Sequence, residues 1–392
     1  MSFDVAIVGG GPVGSSLALA LSGGGFRVAL IESQNPRPVS EEWDSRVYTL
    51  SPASIGFLQR MGAWRRVDGK RTCTVQRMRV FGDDGKSALG FSAYEAGLAE
   101  LARVVESSRL QQAFSEELAK RDGVIRYSPV RPLKLTVTPS FAELDLDNGV
   151  AIRTQLVIGA DGSGSWVRAA SGVGSDLTPY GQRGVVANFA CEQEHQNTAC
   201  QWFRPDGILA WLPLPRNLIS IVWSAKDVVA KQLLELPPRA FAESVADAGV
   251  RMLGRLTCIT APAAFPLHRL RARRSVGPRV ALVGDAAHAV HPLAGQGINI
   301  GFADAATLSA ILCGFGAKRD AGDLLPLRRY ERARAEAILV MDGTTRGLNA
   351  LFDSPDSLIR SVRNRGLNLT DRLPVLKTLL TRRAVGPLAR SG

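Results

Sequence analysis

Hydrophobic positions along this chain fall into short runs punctuated by glycine. Residues 3–8 (Phe-Asp-Val-Ala-Ile-Val) form a nearly continuous apolar, β-rich run, the pattern of a buried strand. A glycine cluster, 9–14, follows, and then a helical stretch carrying Leu17, Leu19 and Leu21, which Gly23–Gly25 end. Residues 27–32 (Arg-Val-Ala-Leu-Ile-Glu) read as a second strand. This βαβ opening implies a parallel sheet and an α/β fold class. Residues 33–48 are polar and proline-rich, a predicted loop; helices are expected around 52–64 and 100–120, and strands dominate 125–160. Residues 183–224 predict a separate antiparallel sheet, with alternation in 208–214 and 218–224. A helix near 237–247 interrupts it, and a strand at 279–283 restores the parallel pattern. A helix follows from about 297, and the chain from 327 onward reads mostly helical. No internal repeat of solenoid length is present.

Composition narrows the class. The chain has 392 residues, enough for two or three domains and a core without disulfide staples. At 45% hydrophobic and 21% charged residues it is neither disordered nor low-complexity. No run of about 18 apolar residues predicts a spanning helix. The start, Met-Ser-Phe-Asp, enters a strand directly and lacks the basic and apolar regions of a signal peptide, so a cytoplasmic protein is expected. The net charge is +12, with 40 arginines and 8 lysines. That balance suits an anionic cofactor, an anionic membrane face or simply a solvated basic surface. No nucleic-acid-binding motif appears, so no nucleic-acid partner is expected. Cys73, Cys191, Cys200, Cys258 and Cys313 are scattered with no metal-type spacing, which fits reduced thiols and no metal site.

Three motifs carry the chemistry. The first is Gly9-Gly10-Gly11-Pro12-Val13-Gly14, between a predicted strand and helix. Gly9 permits the tight turn, Gly11 lets a pyrophosphate approach the backbone, and Gly14 allows close helix–strand packing. The helix N-terminus offers free N–H groups to phosphate. Glu32 closes the second strand 18 residues after Gly14, where a carboxylate accepts ribose hydroxyls and would repel a 2′-phosphate. The second motif is Val157-Ile158-Gly159-Ala160-Asp161-Gly162-Ser163. Alone it is equally an ordinary strand-to-helix turn capped by Asp161. The third runs Arg279-Val-Ala-Leu-Val-Gly284-Asp285-Ala286-Ala287-His288 and on through Pro292-Leu293-Ala294-Gly295-Gln296-Gly297-Ile298-Asn299. Asp285 can accept ribityl hydroxyls, and the helix opened by Gly295 and Gly297 can stabilise negative charge on a reduced flavin.

In this order and spacing the motifs resemble the class A flavoprotein aromatic hydroxylases of the p-hydroxybenzoate hydroxylase fold. The strings GDAAHAVHPLAGQGINIGFAD, DSRVYTLSPASIGFLQRMGAW and YERARAEAILVMDGTTRGLNALF are similar to the ubiquinone-biosynthesis hydroxylases, of the 2-polyprenyl-6-methoxyphenol hydroxylase type. The resemblance spans residues 3–386. It implies FAD held by Gly9, Gly11, Gly14 and Glu32 at the adenosine half, with Arg46 of the DSR string along the cofactor. Asp161 would lie on the pyrophosphate side and Asp285 at the ribityl chain, with Pro292, Gly295, Gly297, Ile298 and Asn299 along the isoalloxazine ring. Arg109 opens a helix where the fold often has an FAD-contacting arginine, although Glu106-Ser107-Ser108 departs from the family's usual Glu-Asn. The implied layout is a Rossmann-like FAD-binding domain at 1–70, 100–180 and 270–325. An antiparallel-sheet substrate domain would occupy 71–99 and 181–269, and a helical C-terminal region 326–392.

The implied reaction is hydroxylation of a polyprenylated phenol or methoxyphenol by O2 through a flavin C4a-hydroperoxide, in ubiquinone biosynthesis. The ring carbon is not encoded in any motif; the 2-polyprenyl-6-methoxyphenol step is the expectation. The flavin does the bond chemistry while the protein orients, excludes water and stabilises charge. His288, His291 and Pro292 beside the flavin loop are the candidate catalytic groups, although an imidazole there also serves simply to hold the loop. Trp202, Trp211 and Trp223 are expected in the core rather than lining the pocket. No second GxGxxG is present, so electrons come either from NAD(P)H at a transient surface site or from a redox protein. Three alternatives stay open: hydroxylation of another small aromatic compound, reduction of prenyl double bonds, and a non-catalytic flavin-binding subunit of a quinone-synthesis complex. Finally, residues 357–392 carry eight basic residues against Asp371, interleaved with leucines. This pattern fits either peripheral contact with anionic lipid at the inner membrane or a helical cap packed on the flavin domain.

Overall fold

The computed structural model describes residues 2–35, 39–291, 297–353 and 371. Ser2–Val8 is the strand around which the first layer is built. It pairs in parallel with Val28–Ile31 on one side and Ala151–Gly159 on the other, with Val8 level with both Ile31 and Gly159. Val280–Leu282 adds a further parallel strand beside Ala151–Gly159, and Val124–Tyr127 extends the sheet beyond Val28–Ile31. These strands are apolar on both faces because both are covered: one by helices, the other mainly by the strand Ala142–Leu146, whose Ala142, Leu144 and Leu146 pack with Ala6, Val8 and Ile31. Pro12–Gly23 and Gly297–Phe315 pack on one face, where Leu17, Leu21, Phe302 and Leu308 join Val5, Ile7 and Ile158 in one core.

A second sheet of nine strands is mostly antiparallel and is built on Ser175–Cys191, which pairs with Leu218–Lys226 and Ala263–Ala272. The predicted alternation at 208–214 and 218–224 corresponds to strands Gly207–Leu214 and Leu218–Lys226. One face, bearing Val185, Phe189, Trp211, Ile221 and Trp223, packs beneath helices Asp227–Glu235 and Pro238–Ala248. All three tryptophans expected in the core are there, each no more than 5% exposed.

A small third sheet joins the two layers, with Ala102–Glu106 between Val47–Leu50 and Thr72–Val75. It corrects two sequence expectations. The helix expected over 100–120 is a strand followed by helix Ser107–Leu118, because the β-branched pair Val104-Val105 finds strand partners on both sides. The expected loop 33–48 likewise ends in the strand Val47–Leu50.

Gly297–Phe315 is long and apolar enough to cross a bilayer, at mean hydropathy 1.5, which the expectation of no spanning helix did not anticipate. Its buried face instead packs in the core and carries a fully buried, ion-paired Asp304. Of the basic segment 357–392 only Asp371 is described. Its carboxylate accepts the Gly90 N–H at 3.0 Å, and the rest lies outside the described residues.

Candidate active site

The three motifs leave the sheet side by side. Val8, Gly159 and Leu282 are aligned across adjacent parallel strands, so Gly9, Ala160-Asp161 and Val283-Gly284-Asp285 emerge together at their carboxyl ends. This is where open α/β sheets bind ligands. Gly9 has φ +107°, and a Cβ there would collide with the Ala160 carbonyl. A Cβ on Gly14 would strike the Gly9 carbonyl oxygen. Both glycines are therefore dictated by packing between the first and second motifs. A Cβ on Gly11, in contrast, would meet nothing within 4 Å. That open space lies at the start of helix Pro12–Gly23, whose first N–H groups have no helical partner.

Glu32 is tied to the same turn. Its Oε2 accepts the Gly10 N–H at 2.7 Å, and its Oε1 accepts the Gln34 N–H at 2.9 Å. Gln111, which sequence reasoning passed over, donates from Nε2 to the Gly10 carbonyl at 2.6 Å. Asp161 serves two ends. Its Oδ2 caps the Val167 N–H at 3.1 Å, as the turn reading expected, while Oδ1 is buried without a partner among the described residues. Arg168 then links the second and third motifs by donating to the Ser163 and Ala286 carbonyls at 2.7 and 2.8 Å.

Asp285 follows Gly284, whose φ is +58°. Its side chain is exposed, although protein atoms crowd around it. Loss of hydration there raises its carboxyl pKa, against the pull of His288, Arg46 and His268. Arg46 and Asp285, 239 positions apart, are thus brought into electrostatic reach. Arg109 sits against the loop that leads to Arg46. It donates to the Ser40 carbonyl at 2.9 Å and approaches Glu41 at 3.6 Å, and its Nε is buried without a partner among the described residues.

The two histidines divide. His288 is buried, and its Nε2 lies 2.6 Å from Asp304 Oδ2, which also accepts the Gly284 N–H at 2.9 Å. Arg334 donates to Asp304 Oδ1 at 2.6 Å. Burial alone would lower the His288 pKa, but the Asp304 carboxylate outweighs it and holds the imidazole above its ordinary value. Arg334 and His288 keep Asp304 ionised despite burial. This arrangement braces the Gly284-Asp285 turn. His291 is 1% exposed and lies 2.8 Å through Nε2 from the Gln182 side-chain oxygen, with the Tyr180 ring edge-on at 4.8 Å. Burial lowers its pKa to about 4, so the ring is neutral at pH 7, and its Nδ1 has no partner among the described residues.

Pro292 and Gly295 lie outside the described residues. Gly297, Ile298 and Asn299 form the first turn of Gly297–Phe315. The Asn299 amide turns inward: it donates to the Thr49 carbonyl and accepts from the Ser51 N–H and the Ser54 hydroxyl. Ile298 packs against the main core. The Asn299 side chain is thus engaged by the protein itself.

These features suit a bound FAD. Among the described residues, the open space at Gly11, the orphaned Asp161 Oδ1 and Arg109 Nε, and the exposed carboxylate of Asp285 are what a dinucleotide with a polyhydroxyl chain would satisfy.

Comparison with known proteins agrees. The FAD binding domain family model matches residues 2–340. The chain is 35% identical over 386 residues to the 3-demethoxyubiquinol 3-hydroxylase of Escherichia coli (strain K12), covering 98% of each chain. It is 33% identical to the ubiquinone hydroxylase UbiL of Rhodospirillum rubrum, covering 98% of this chain and 90% of that one. The fold is similar to p-nitrophenol 4-monooxygenase PnpA from Pseudomonas putida, with TM-score 0.79, 19% identity and full coverage of both chains. With that fold, a complete set of strand-end motifs and relatives matched along nearly their whole length, the chain belongs to the ubiquinone-biosynthesis hydroxylases, FAD-dependent members of the flavoprotein monooxygenases.

Proposed function

We propose that this flavoprotein monooxygenase hydroxylates the aromatic ring of a polyprenylated phenol or methoxyphenol during ubiquinone assembly. The observation that carries the reading is the convergence of Gly9, Asp161 and Asp285 at the carboxyl ends of three adjacent strands. The likeness to 3-demethoxyubiquinol 3-hydroxylase supports the substrate class. Bound FAD, once reduced, supplies the activation of O2 and the electrophilic oxygen atom.

The chain's own residues then have separable tasks. The Gly9–Gly14 turn and its helix receive the pyrophosphate, and Glu32 faces the adenosine ribose. Arg109 lies toward the phosphates, Asp161 caps the turn on that side, and Asp285 accepts ribityl hydroxyls. Arg46 is a cation within electrostatic reach of Asp285. The N-terminal end of the helix Gly297–Phe315 offsets negative charge that develops on the reduced ring. His288 holds the Gly284-Asp285 turn through Asp304 rather than moving a proton to substrate. The described residues identify no proton acceptor for the phenol.

A polyprenyl tail partitions into lipid, so the substrate is met at a bilayer or handed over by a quinone-synthesis partner. The basic, leucine-rich segment 357–392 supports peripheral contact with the inner membrane. Two experiments test these readings. Cells lacking the protein should accumulate a polyprenylated precursor one oxygen short of the next intermediate; an unchanged quinone pool would overturn the assignment. Flotation on anionic vesicles should be salt-sensitive and lost when Arg382, Arg383 and Arg390 become Gln. Equal recovery in the soluble fraction under all conditions would exclude the direct membrane route.

A further inference from the structure

The loop Glu41–Arg46 is gripped from two sheets at once. Glu106, fully buried at the end of its strand, accepts the Asp44 N–H at 2.7 Å. The same carboxylate pairs with Arg71 through two hydrogen bonds of 2.7 and 2.8 Å. Arg71 also donates to the Glu41 and Glu42 carbonyls at 3.0 and 3.1 Å and lies 3.9 Å over the Trp43 ring. Asp44 in turn accepts the Arg46 and Ser108 N–H groups at 2.9 and 3.0 Å. From the substrate-side sheet, Asn188 Nδ2 donates to the Asp44 carbonyl at 2.9 Å.

Asn188 is the odd member. It is 0% exposed, on a strand whose neighbours Ala187 and Phe189 pack into the core on the opposite face. Among the described residues its Oδ1 is buried without a partner, and so is the hydroxyl of Ser220 directly across the strand pair. An apolar residue would avoid that unsatisfied oxygen. A local rule broken without local gain points to a task elsewhere. Among the described residues, the one bond this side chain makes reaches the loop that carries Arg46.

We propose that Asn188, acting with the buried Arg71–Glu106 pair, is a positioning residue that fixes Arg46 beside Asp285 and so couples the substrate-side sheet to the flavin. The proposal rests on the reading that Arg46 and Asp285 line the FAD. Neither Asn188 nor Arg71 touches the cofactor in this account. They set where the cation stands, and the cation stabilises the negative charge of the reduced flavin.

The test is a double-mutant cycle read on cofactor binding and potential rather than turnover. FAD is titrated into the flavin-free full-length protein, and the midpoint potential of the bound flavin is measured. Asn188→Ala should weaken FAD binding about 5-fold, the effect of one neutral hydrogen bond, and make the potential more negative. In an Arg46→Ala background Asn188→Ala should change neither quantity, because its effect passes through Arg46. Glu106→Gln, which keeps an acceptor for Asp44 but breaks the ion pair, should shift the potential in the same direction. If it fails to fold, the Asn188 cycle decides alone. Asn188→Ala that lowers only thermal stability, or acts equally with and without Arg46, overturns the proposal. A wild-type chain that binds no FAD, or binding indifferent to Arg46→Ala, would instead fault the underlying site reading.

Discussion

Replacing Asp304 by alanine should cost more than any other single change near the site. Its carboxylate is 0% exposed and receives His288, Arg334 and the Gly284 N–H. Truncation strands the Arg334 guanidinium, itself 9% exposed, with no counter-charge, and breaking a buried pair in this way costs about 3–5 kcal/mol. The Gly284-Asp285 turn also loses its brace, so FAD affinity should fall with stability. The assay is urea unfolding followed by intrinsic fluorescence, on Asp304→Ala and on Asp304→Ala combined with Arg334→Met. The double variant removes the stranded charge and should recover part of the loss. A single-variant cost below about 1 kcal/mol, or a double variant less stable than the single, would refute the reasoning. The pH dependence follows from the two shifts. His288 has a raised folded pKa, so its contribution is complete below its unfolded value of 6.5 and is lost as pH rises through the folded value. Asp304 has a lowered folded pKa, so its contribution is present above 3.8 and is lost as pH falls through the folded value. The pair therefore stabilises most between those limits.

Other expectations are simpler. Asp285→Ala should weaken FAD binding by roughly 1.5–3 kcal/mol, the range for hydrogen bonds to a charged acceptor, and unchanged affinity by fluorescence titration would refute its assignment. Glu32→Arg should weaken FAD as well, without creating a site for NADP, checked by titrating both dinucleotides. His291 has a folded pKa of about 4 against 6.5 unfolded, so it opposes folding progressively as pH falls below 6.5. His291→Gln should remove about 3 kcal/mol of that acid sensitivity, measured by unfolding at pH 7 and pH 4.

The parts of the site legible in sequence are those built from neighbours along the chain. The Gly9–Gly14 turn, Asp161 and Asp285 each follow an apolar run whose end is visible in composition alone. The apolar cores of the strands and the three buried tryptophans were legible for the same reason. The braces were not legible, because their partners are distant: Arg71 and Glu106 are 35 positions apart, and Asn188 reaches Asp44 across 144. No periodicity marks such a pair. The stretch 100–120 misled because Val104 and Val105 sit next to a good helix, and only their strand partners reveal them as a strand. Asn299 was legible as important but not in its direction, since its amide bonds inward to Thr49 and Ser51.

The most direct test of the account is incorporation of labelled oxygen. The purified protein, loaded with FAD and reduced in the presence of a polyprenylated methoxyphenol, is exposed to ¹⁸O2 and the lipid product is weighed by mass spectrometry. The account predicts one ¹⁸O atom on the aromatic ring, lost in the Asp285→Ala variant to the extent that FAD is lost. Label found only in water or peroxide, with the ring unmodified while the flavin is reoxidised, would contradict it.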